Sequence, residues 1–327
     1  MIGEKVGKYT IQATLGSGSM GTVYRAEDST TGRGVAIKLV RSLILYSQER
    51  RERFLQQLLT ASEIRHPMLC PLFEIGDDDD DFYVVMPLVE GVTLEKLMNH
   101  RIMPWQRAVG IALDIGEALS VIHAAGAIHR GLKPANIWIQ RNGSILVSDF
   151  CLSRFTELEK DGTASHSSSK AEYADTLIPL SAIAYMSPEQ IRGNQIDHRS
   201  DIFSLGAILY ELLTGRHPFE ARNSLSRISA ILEGDPPPLT SKLQELPHGL
   251  DSTIRRALAK SPDERQPDIQ CFLDQLRAIR LQFQAPMAQT PNGITVIRNS
   301  AQLLAVLLVL FLLIACASAY FYLALKN

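Results

Sequence analysis

The 327-residue sequence has no excess of charge of either sign and few residues of the types that build metal or disulfide frameworks. Its formal net charge is only -2, so no overall basic field argues for nucleic acid as a partner. Its four cysteines form no CxxC pair, which argues against a zinc site and against a secreted disulfide framework. The N-terminal residues also lack an apolar core of signal-peptide length. We therefore expect the bulk of the chain to remain in the reducing interior of the cell.

Internal repetition is also absent from the sequence. No period of about 20 to 50 residues recurs, which excludes solenoid architectures. The hydrophobic fraction of 46% is ample for a sizeable core, and the length allows one large domain or two ordinary ones. The composition therefore predicts a globular protein rather than a disordered one.

One long hydrophobic run is present near the C-terminal end. Residues 303–325 carry no charge, and as a helix they would span about 34 Å, whereas a bilayer core is roughly 30 Å thick. A buried core helix is the alternative, but such helices rarely stay apolar on every face over this length. We predict a single transmembrane helix over 303–325, preceded by a linker over 284–302. Basic residues before the run favour a cytoplasmic N-terminal side and a cell (inner) membrane location.

Small residues near the end of this run, Ala315, Ser318 and Ala319, form a face that would allow a homodimer through the membrane helix. A plain anchor with small residues near one end is the alternative.

The N-terminal part of the chain reads as strands joined by a glycine-rich turn. Gly16, Gly18 and Gly21 separate the strand-like segments YTIQATL and TVYRAEDS, and glycines let backbone N–H groups approach phosphate without a Cβ in the way. A dinucleotide-binding fold would need a helix after the glycines, but the segment around Val23 is β-branched and predicts a strand. On the next strand, VAIKLV, Lys38 is a candidate phosphate ligand, with a solvated surface lysine as the alternative.

The middle of the chain changes from strands to helices. Residues 48–64 have apolar side chains at helical spacing, and PLFEI and DFYVVM are strand-like segments joined by an acidic turn. After Val92 the apolar residues recur at intervals of three and four, which predicts a mainly helical second half.

Seven motifs occur along the chain in a fixed order: GSGSMGTV, VAIK, HRGLKPAN, SDF, YMSPEQ, SDIFSLGAILYELLTG and SPDERQP. Together they resemble the motifs of bacterial eukaryotic-type serine/threonine protein kinases, over about residues 9–283. The resemblance implies a bilobal α+β protein-kinase fold, with an N-terminal β-sheet lobe that carries one helix (αC) and a mainly helical C-terminal lobe. It also implies ATP and Mg²⁺ as cofactors and a protein as substrate or partner.

The resemblance assigns roles to individual residues. Lys38 would hold the α- and β-phosphates of ATP, and Lys133 would contact the γ-phosphate. Asn136 and Asp149 would bind the metal ions. Glu189 would pair with Arg265, and Asp201 would anchor the backbone of the HRGLKPAN segment. The remaining nucleotide-binding positions would be the three glycines of the turn, Val23 and Ala36 around the base, Met86 as gatekeeper, Pro87 and Val89 at the hinge, and Trp138 beneath adenine. The ring of Trp138 would either stack on adenine or, as we favour, partly occlude the site.

Four departures from the family pattern bear on catalysis. Gly131 stands where the family has the aspartate that accepts and orients the substrate hydroxyl, and Gln57 stands where relatives have the glutamate that pairs with Lys38. Cys151 replaces the glycine after SDF, and Ala182 replaces a threonine that supports the catalytic aspartate. The sequence therefore predicts a membrane-anchored pseudokinase that acts through partner binding or allostery in signalling. The alternative is an active but slow serine/threonine kinase, because the phosphate and metal ligands are retained.

Overall fold

The computed structural model describes residues 1–18, 21–40, 48–78, 81–150, 183–239 and 246–284. Almost all of them belong to one compact unit, Met1–Gln282. Within these ranges no helix is both long and apolar enough to cross a bilayer. The predicted transmembrane helix at 303–325 lies outside the described residues, and so does the predicted linker apart from residue 284.

An antiparallel six-stranded sheet forms the N-terminal lobe. Its strand order is β1-β2-β3-β4-β6-β5, with one helix, α1, between β4 and β5 in the sequence. The elements are β1 (Lys5–Val6), β2 (Tyr9–Gly18), β3 (Gly21–Asp28), β4 (Gly34–Val40), α1 (Gln48–Glu63), β5 (Glu74–Asp78) and β6 (Asp81–Pro87). The predicted strands and the helix are present, but β5 begins three residues later than the predicted segment PLFEI and continues through Asp78, so it includes residues that were predicted to form the acidic turn.

Strand β4 lies between β3 and β6, and it is buried on both faces. Successive side chains of a strand point to opposite faces. On β4, Ala36 and Val40 belong to the large core shared with the rest of the domain, while Val35, Ile37 and Leu39 belong to a smaller cluster on the other side of the sheet. This double burial explains why VAIKLV is a nearly continuous apolar run interrupted by Lys38.

The turn between β2 and β3 depends on one glycine for a steric reason. Gly18 pairs with Gly21 at the end of the hairpin, and Gly21 has a φ of 148°. A Cβ at Gly21 would overlap the carbonyl oxygen of Leu39 on the neighbouring strand. Gly16 and Gly18, in contrast, have open space where a Cβ would stand. The predicted phosphate turn therefore lies at an exposed hairpin tip.

The C-terminal lobe is mainly helical and carries a small three-stranded sheet of order β7-β8-β9. Its central helix α5 is buried along nearly its whole length and packs against α3 and α7. The elements are β7 (Gly91–Thr93), α2 (Leu94–Met98), α3 (Trp105–Ala124), β8 (Ile137–Gln140), β9 (Ile145–Val147), α4 (Pro188–Arg192), α5 (Arg199–Thr214), α6 (Ser224–Glu233), α7 (Leu250–Ala257) and α8 (Ile269–Gln284).

A buried ion pair ties two distant parts of this lobe together. Arg265, only 1% exposed, donates from Nη1 and Nη2 to the two carboxylate oxygens of Glu189, each at 2.7 Å. Burial works to raise the pKa of Glu189, but the hydrogen bonds and charge of Arg265 outweigh it and lower that pKa. The predicted pairing of Glu189 with Arg265 is present, and it is bidentate, the geometry in which arginine binds carboxylate most strongly.

Candidate active site

The HRGLKPAN segment runs between α3 and β8, and its backbone is held by Asp201 from the first turn of α5. Asp201 is fully buried, and its carboxylate accepts hydrogen bonds from the backbone N–H groups of His129 and Arg130, each at 2.8 Å. The ring Nε2 of His123 also lies 2.8 Å from this carboxylate. Burial works to raise the pKa of Asp201, but these contacts lower it, so the anchor is a carboxylate at neutral pH.

The backbone around Gly131 is held from three further directions. Gln190 Nε2 donates to the carbonyl oxygen of Arg130 at 2.8 Å, and Asn136 Nδ2 donates to that of Gly131 at 2.9 Å. The N–H of Gly131 donates to His129 Nδ1 at 3.3 Å. Arg130 has a φ of 64°, whereas Gly131 is not among the glycines with positive φ. The backbone position that lacks the aspartate is therefore fixed, and its conformation does not require glycine.

Lys38 and Asp149 meet at the junction of the two lobes. Lys38 Nζ lies 3.0 Å from Asp149 Oδ2, and the lysine is only 6% exposed. Burial works to raise the pKa of Asp149, but the attraction of Lys38, followed by that of Lys133, lowers it. The predicted phosphate ligand and the predicted metal ligand are therefore in direct contact and oppositely charged.

The segment that carries Asp149 is fixed to the HRGLKPAN segment by backbone hydrogen bonds. The N–H of Ser148 donates to the carbonyl oxygen of Asn136 at 2.9 Å, and Val147 pairs with Ile137 in the small sheet. Val147 also exchanges hydrogen bonds with the chain that follows α1, through Met68 and Cys70, each at 2.8 Å. Asp149 and Asn136 are thus neighbours because two strands hold their backbones in register.

Lys133 completes the charged group. Burial lowers the pKa of Lys133, while the carboxylate of Asp149 works in the opposite direction and Lys38 adds to the lowering. The carboxylate of Glu95, on the exposed face of α2, also favours the charged form of Lys133. Lys38 and Lys133 therefore both interact electrostatically with Asp149, which is partly exposed.

The donor set fits a magnesium ion that arrives with phosphates. Because the side-chain nitrogen of Asn136 donates to Gly131, its Oδ1 is the atom that can face a cation, and Asp149 supplies the carboxylate. Mg²⁺ is commonly held by one or two carboxylates together with substrate phosphates and water. Within the described ranges, no group of three or more His, Cys, Asp or Glu side chains is placed to hold a metal ion by itself. The phosphates would have to complete the coordination.

Strand pairing brings part of the predicted adenine-binding set together at the hinge. Ala36 on β4 pairs with Met86 on β6, and Val35 pairs with Pro87. This pairing places the first half of β4 beside the hinge. Val23, Val89 and Trp138 are partly buried and pack against the core that contains Ala36 and Met86. These positions contact the same extensive hydrophobic core, and their role in binding adenine stays a prediction.

Trp138 is held in the middle strand of the small sheet. It pairs with Thr93 on β7 and with Leu146 on β9, and it is half-buried. The residue is therefore fixed by strand pairing on both sides. The predicted departures at Cys151 and Ala182 lie outside the described residues, as does the side chain of Gln57.

Sequence reasoning missed the role of Gln190. Its Oε1 accepts from the backbone N–H of Ser187 at 2.9 Å and completes a capping box at the start of α4. The S-x-x-Q spacing was a readable signal for that capping box. The second contact of the same side chain, to the Arg130 carbonyl oxygen, spans 60 residues of sequence, and no local pattern predicts it.

The fold and the charged group define a protein-kinase domain, and comparison with known proteins agrees. The family model described as protein kinase domain matches residues 9–275. The chain therefore belongs to the bacterial eukaryotic-type serine/threonine protein kinase family.

Individual relatives are similar over most of this chain. It is 32% identical to the serine/threonine-protein kinase PksC of Streptomyces coelicolor, over 88% of this chain and 52% of that protein. It is 35% identical to PrkC of Bacillus subtilis, over 81% and 39%, and 32% identical to PknL of Mycobacterium tuberculosis, over 90% and 70%. The chain thus spans about half or less of the length of several of these relatives.

A solved structure supports the fold. The crystal structure of a mutant of the Mycobacterium tuberculosis PknI kinase domain matches with a TM-score of 0.66, covering 85% of this chain and 98% of that one. Its sequence identity of 24% carries the fold alone. The predicted bilobal kinase fold is confirmed.

Proposed function

We propose that this protein is a membrane-anchored pseudokinase whose domain over 9–283 binds ATP and Mg²⁺ but does not act as a phosphotransferase. One observation carries the proposal. The backbone of Gly131 makes two hydrogen bonds, and its neighbours Arg130 and His129 are fixed to Gln190 and Asp201, yet no carboxylate projects from position 131. A positioned general base typically contributes about 10² to 10⁴ in rate. The domain then acts through partner binding or allostery in signalling.

The residues that would hold the nucleotide are those already described at the lobe junction. Lys38 and Lys133 would contact phosphates, the glycine turn would cover them, and the hinge at Pro87 and Val89 would face adenine. Asn136 and Asp149 would hold Mg²⁺, which when bound neutralises phosphate charge. The contact between Lys38 and Asp149 supports this part of the proposal, because it brings a phosphate ligand and a metal ligand to one place.

The membrane part of the proposal rests on the uncharged run at 303–325. In this arrangement 284–302 links the kinase-like domain to a single transmembrane helix, and the domain lies on the cytoplasmic side of the cell (inner) membrane. The small residues of the run would allow a homodimer through that helix. Separation of membrane and soluble fractions of expressing cells tests the anchor. Recovery of the full-length chain in the soluble fraction would exclude it.

An active but slow serine/threonine kinase is the second candidate. It is favoured by the Lys38–Asp149 contact and by the amide of Asn136, which is oriented with its oxygen available to a cation. Phosphoryl transfer depends largely on positioning and charge stabilisation, so slow transfer without the base is chemically reasonable.

Transfer of radioactive phosphate from ATP by the full-length purified chain distinguishes the two candidates. The matched control is Lys38→Met, which removes the phosphate ligand and reports any contaminating kinase. The pseudokinase proposal expects no label above that control. Label that depends on Lys38 and accumulates over many turnovers would instead establish the slow kinase.

A further inference from the structure

The loop between α2 and α3 is fixed against the C-terminal end of α5, at the surface of the C-terminal lobe. The N–H of Met103 donates to the carbonyl oxygen of Leu212 at 2.9 Å. Gly215 follows α5 with a φ of 68°, and a Cβ there would stand only 2.7 Å from the carbonyl oxygen of His100. These close contacts hold the loop, so the side chains that it exposes keep one place on the surface.

The fixed loop exposes an apolar side chain among basic ones. Ile102 is 59% exposed and, together with Arg216, lines an open cavity. Arg101 and Arg107, on either side of Ile102 in the sequence, are also exposed. The acidic residue of the cavity, Glu220, lies 3.9 Å from Arg216 and offsets only part of the positive charge. We call Arg101, Ile102, Arg107 and Arg216 the loop surface.

Helix α8 leads the chain toward the same end of the lobe. Three successive side chains of α8 contact α3, and their partners shift toward the start of α3 as α8 proceeds. In order along α8, the pairs are Gln270 with Ser120, Leu273 with Gly116, and Arg277 with Glu117. The C-terminal end of α8 is therefore directed toward the N-terminal end of α3, where the loop surface lies.

The last turn of α8 exposes a second large apolar side chain. Leu281 is 63% exposed. Single exposed apolar residues are ordinary on protein surfaces. Ile102 and Leu281 differ from that ordinary case because both lie toward the end of the lobe from which the chain continues to the uncharged run at 303–325.

The proposed membrane anchor would keep this end of the lobe near lipid. The linker over 284–302 can extend to at most about 60 Å at ~3.3 Å per residue, so the domain could not move farther than this from the bilayer. A short tether gives two binding partners an effective concentration of about millimolar. A surface with only weak affinity for lipid would therefore still be occupied by it.

We propose that the loop surface and the last turn of α8 rest on the anionic lipid headgroups of the membrane that anchors the chain. Arginine guanidinium groups bind phosphate with paired N–H donors, and exposed Ile102 and Leu281 can enter the boundary between headgroups and acyl chains. This inference rests on the membrane anchor in the proposed function and adds which face of the kinase-like domain meets the bilayer.

The fluorescence of Trp105, which begins α3 just after Ile102, tests the inference. The chain has two tryptophans, so Trp138→Phe leaves Trp105 as the reporter. This full-length variant is reconstituted in brominated phosphatidylcholine vesicles with or without phosphatidylglycerol. We expect lipid quenching of Trp105 to be about twofold or more stronger with phosphatidylglycerol, because the arginines are attracted to anionic headgroups. Added salt should reduce the difference.

Two charge-matched double variants of this reporter chain locate the effect. Arg101→Gln with Arg107→Gln should abolish most of the extra quenching, because it removes two charges from the loop surface. Lys5→Gln with Arg25→Gln is the matched control, since it removes two exposed positive charges from the sheet of the N-terminal lobe, and it should leave the quenching unchanged. Thermal unfolding confirms that each variant is folded.

Flotation of the vesicles on a density gradient separates failure of the anchor from failure of the inference. A chain that does not float with the vesicles rejects the membrane anchor and the inference together. A chain that floats but shows equal quenching in both lipids, or equal losses for the two double variants, overturns the inference and leaves the anchor intact. If poly-glutamate then protects Trp105 from aqueous iodide, the loop surface fits an acidic protein partner instead.

Discussion

The residues that support the backbone of the candidate active site follow the kinase pattern, whereas the position of the catalytic aspartate does not. The supports are buried and bonded at short distances: Asp201 holds His129 and Arg130, and Glu189 holds Arg265. Gly131 occupies the position of the catalytic aspartate, and it has no side chain to orient a substrate hydroxyl. A protein that loses phosphoryl transfer still needs its fold, whereas a catalytic carboxylate has no comparable structural role. This difference between intact supports and a missing carboxylate is what the proposed pseudokinase role rests on.

The largest expected effect comes from breaking a support. Glu189→Ala leaves Arg265 as an uncompensated buried charge, and removal of one partner of such a pair typically costs about 3 to 5 kcal/mol of unfolding free energy. Denaturant unfolding of the full-length chain measures the loss. Glu264→Ala is the control, because Glu264 is exposed one residue before Arg265, and it should change stability by less than about 0.5 kcal/mol. If both variants lost less than about 0.5 kcal/mol of unfolding free energy, Glu189 would not be a structural support.

A pH dependence should also arise from the C-terminal lobe. Burial, with the nearby charge of Arg227 adding to it, lowers the pKa of His217 to about 3. The unfolded chain binds the proton near pH 6.5, so this contribution to stability is fully present above that pH and is lost as the pH falls toward 3. Between pH 7 and pH 5 the loss should be about 2 kcal/mol.

Urea unfolding of the native chain and of His217→Gln at both pH values isolates this term. The native chain should lose about 2 kcal/mol more than the variant between pH 7 and pH 5. If the unfolding free energy of both proteins changed equally between pH 7 and pH 5, His217 would not be held neutral in the folded chain.

The smallest effect on stability should come from substitution of Gly131. Gly131 is not among the glycines with positive φ, so Gly131→Asn introduces no backbone strain. Replacing glycine at such a position reduces the freedom of the unfolded chain and typically changes stability by less than about 1 kcal/mol. Thermal unfolding beside the native chain measures it. A loss as large as that of Glu189→Ala would mean that Gly131 is itself a structural requirement.

The sequence predicted much of the fold because its signals are local or depend on a fixed order of motifs. The apolar run of β4, the helical spacing of α1 and the strand after Gly21 follow from periodicity and turn chemistry. The pairing of Glu189 with Arg265 followed from the family resemblance, and the bidentate contact is present.

Other features of the site depend on tertiary contacts that no short pattern encodes. The reach of Gln190 to Arg130 and the contact of His123 with Asp201 join segments far apart in the sequence. The direct contact of Lys38 with Asp149 likewise depends on how the two lobes bring β4 close to the segment that follows β9. These contacts position the backbone and the charged side chains of the site, and only the structure supplies them.

The most direct test of the central claim compares rates of phosphate transfer by three full-length proteins: the native chain, Gly131→Asp and Gly131→Asn. Transfer from ATP to a mixed serine- and threonine-containing peptide library is measured for each, with Lys38→Met as background. If the backbone at position 131 is correctly placed and only the carboxylate is missing, Gly131→Asp should exceed the native rate of phosphate transfer by about 10² to 10⁴. Gly131→Asn should not exceed it. A native chain as fast as Gly131→Asp would contradict this account and would point instead to the departures at Gln57 and Ala182.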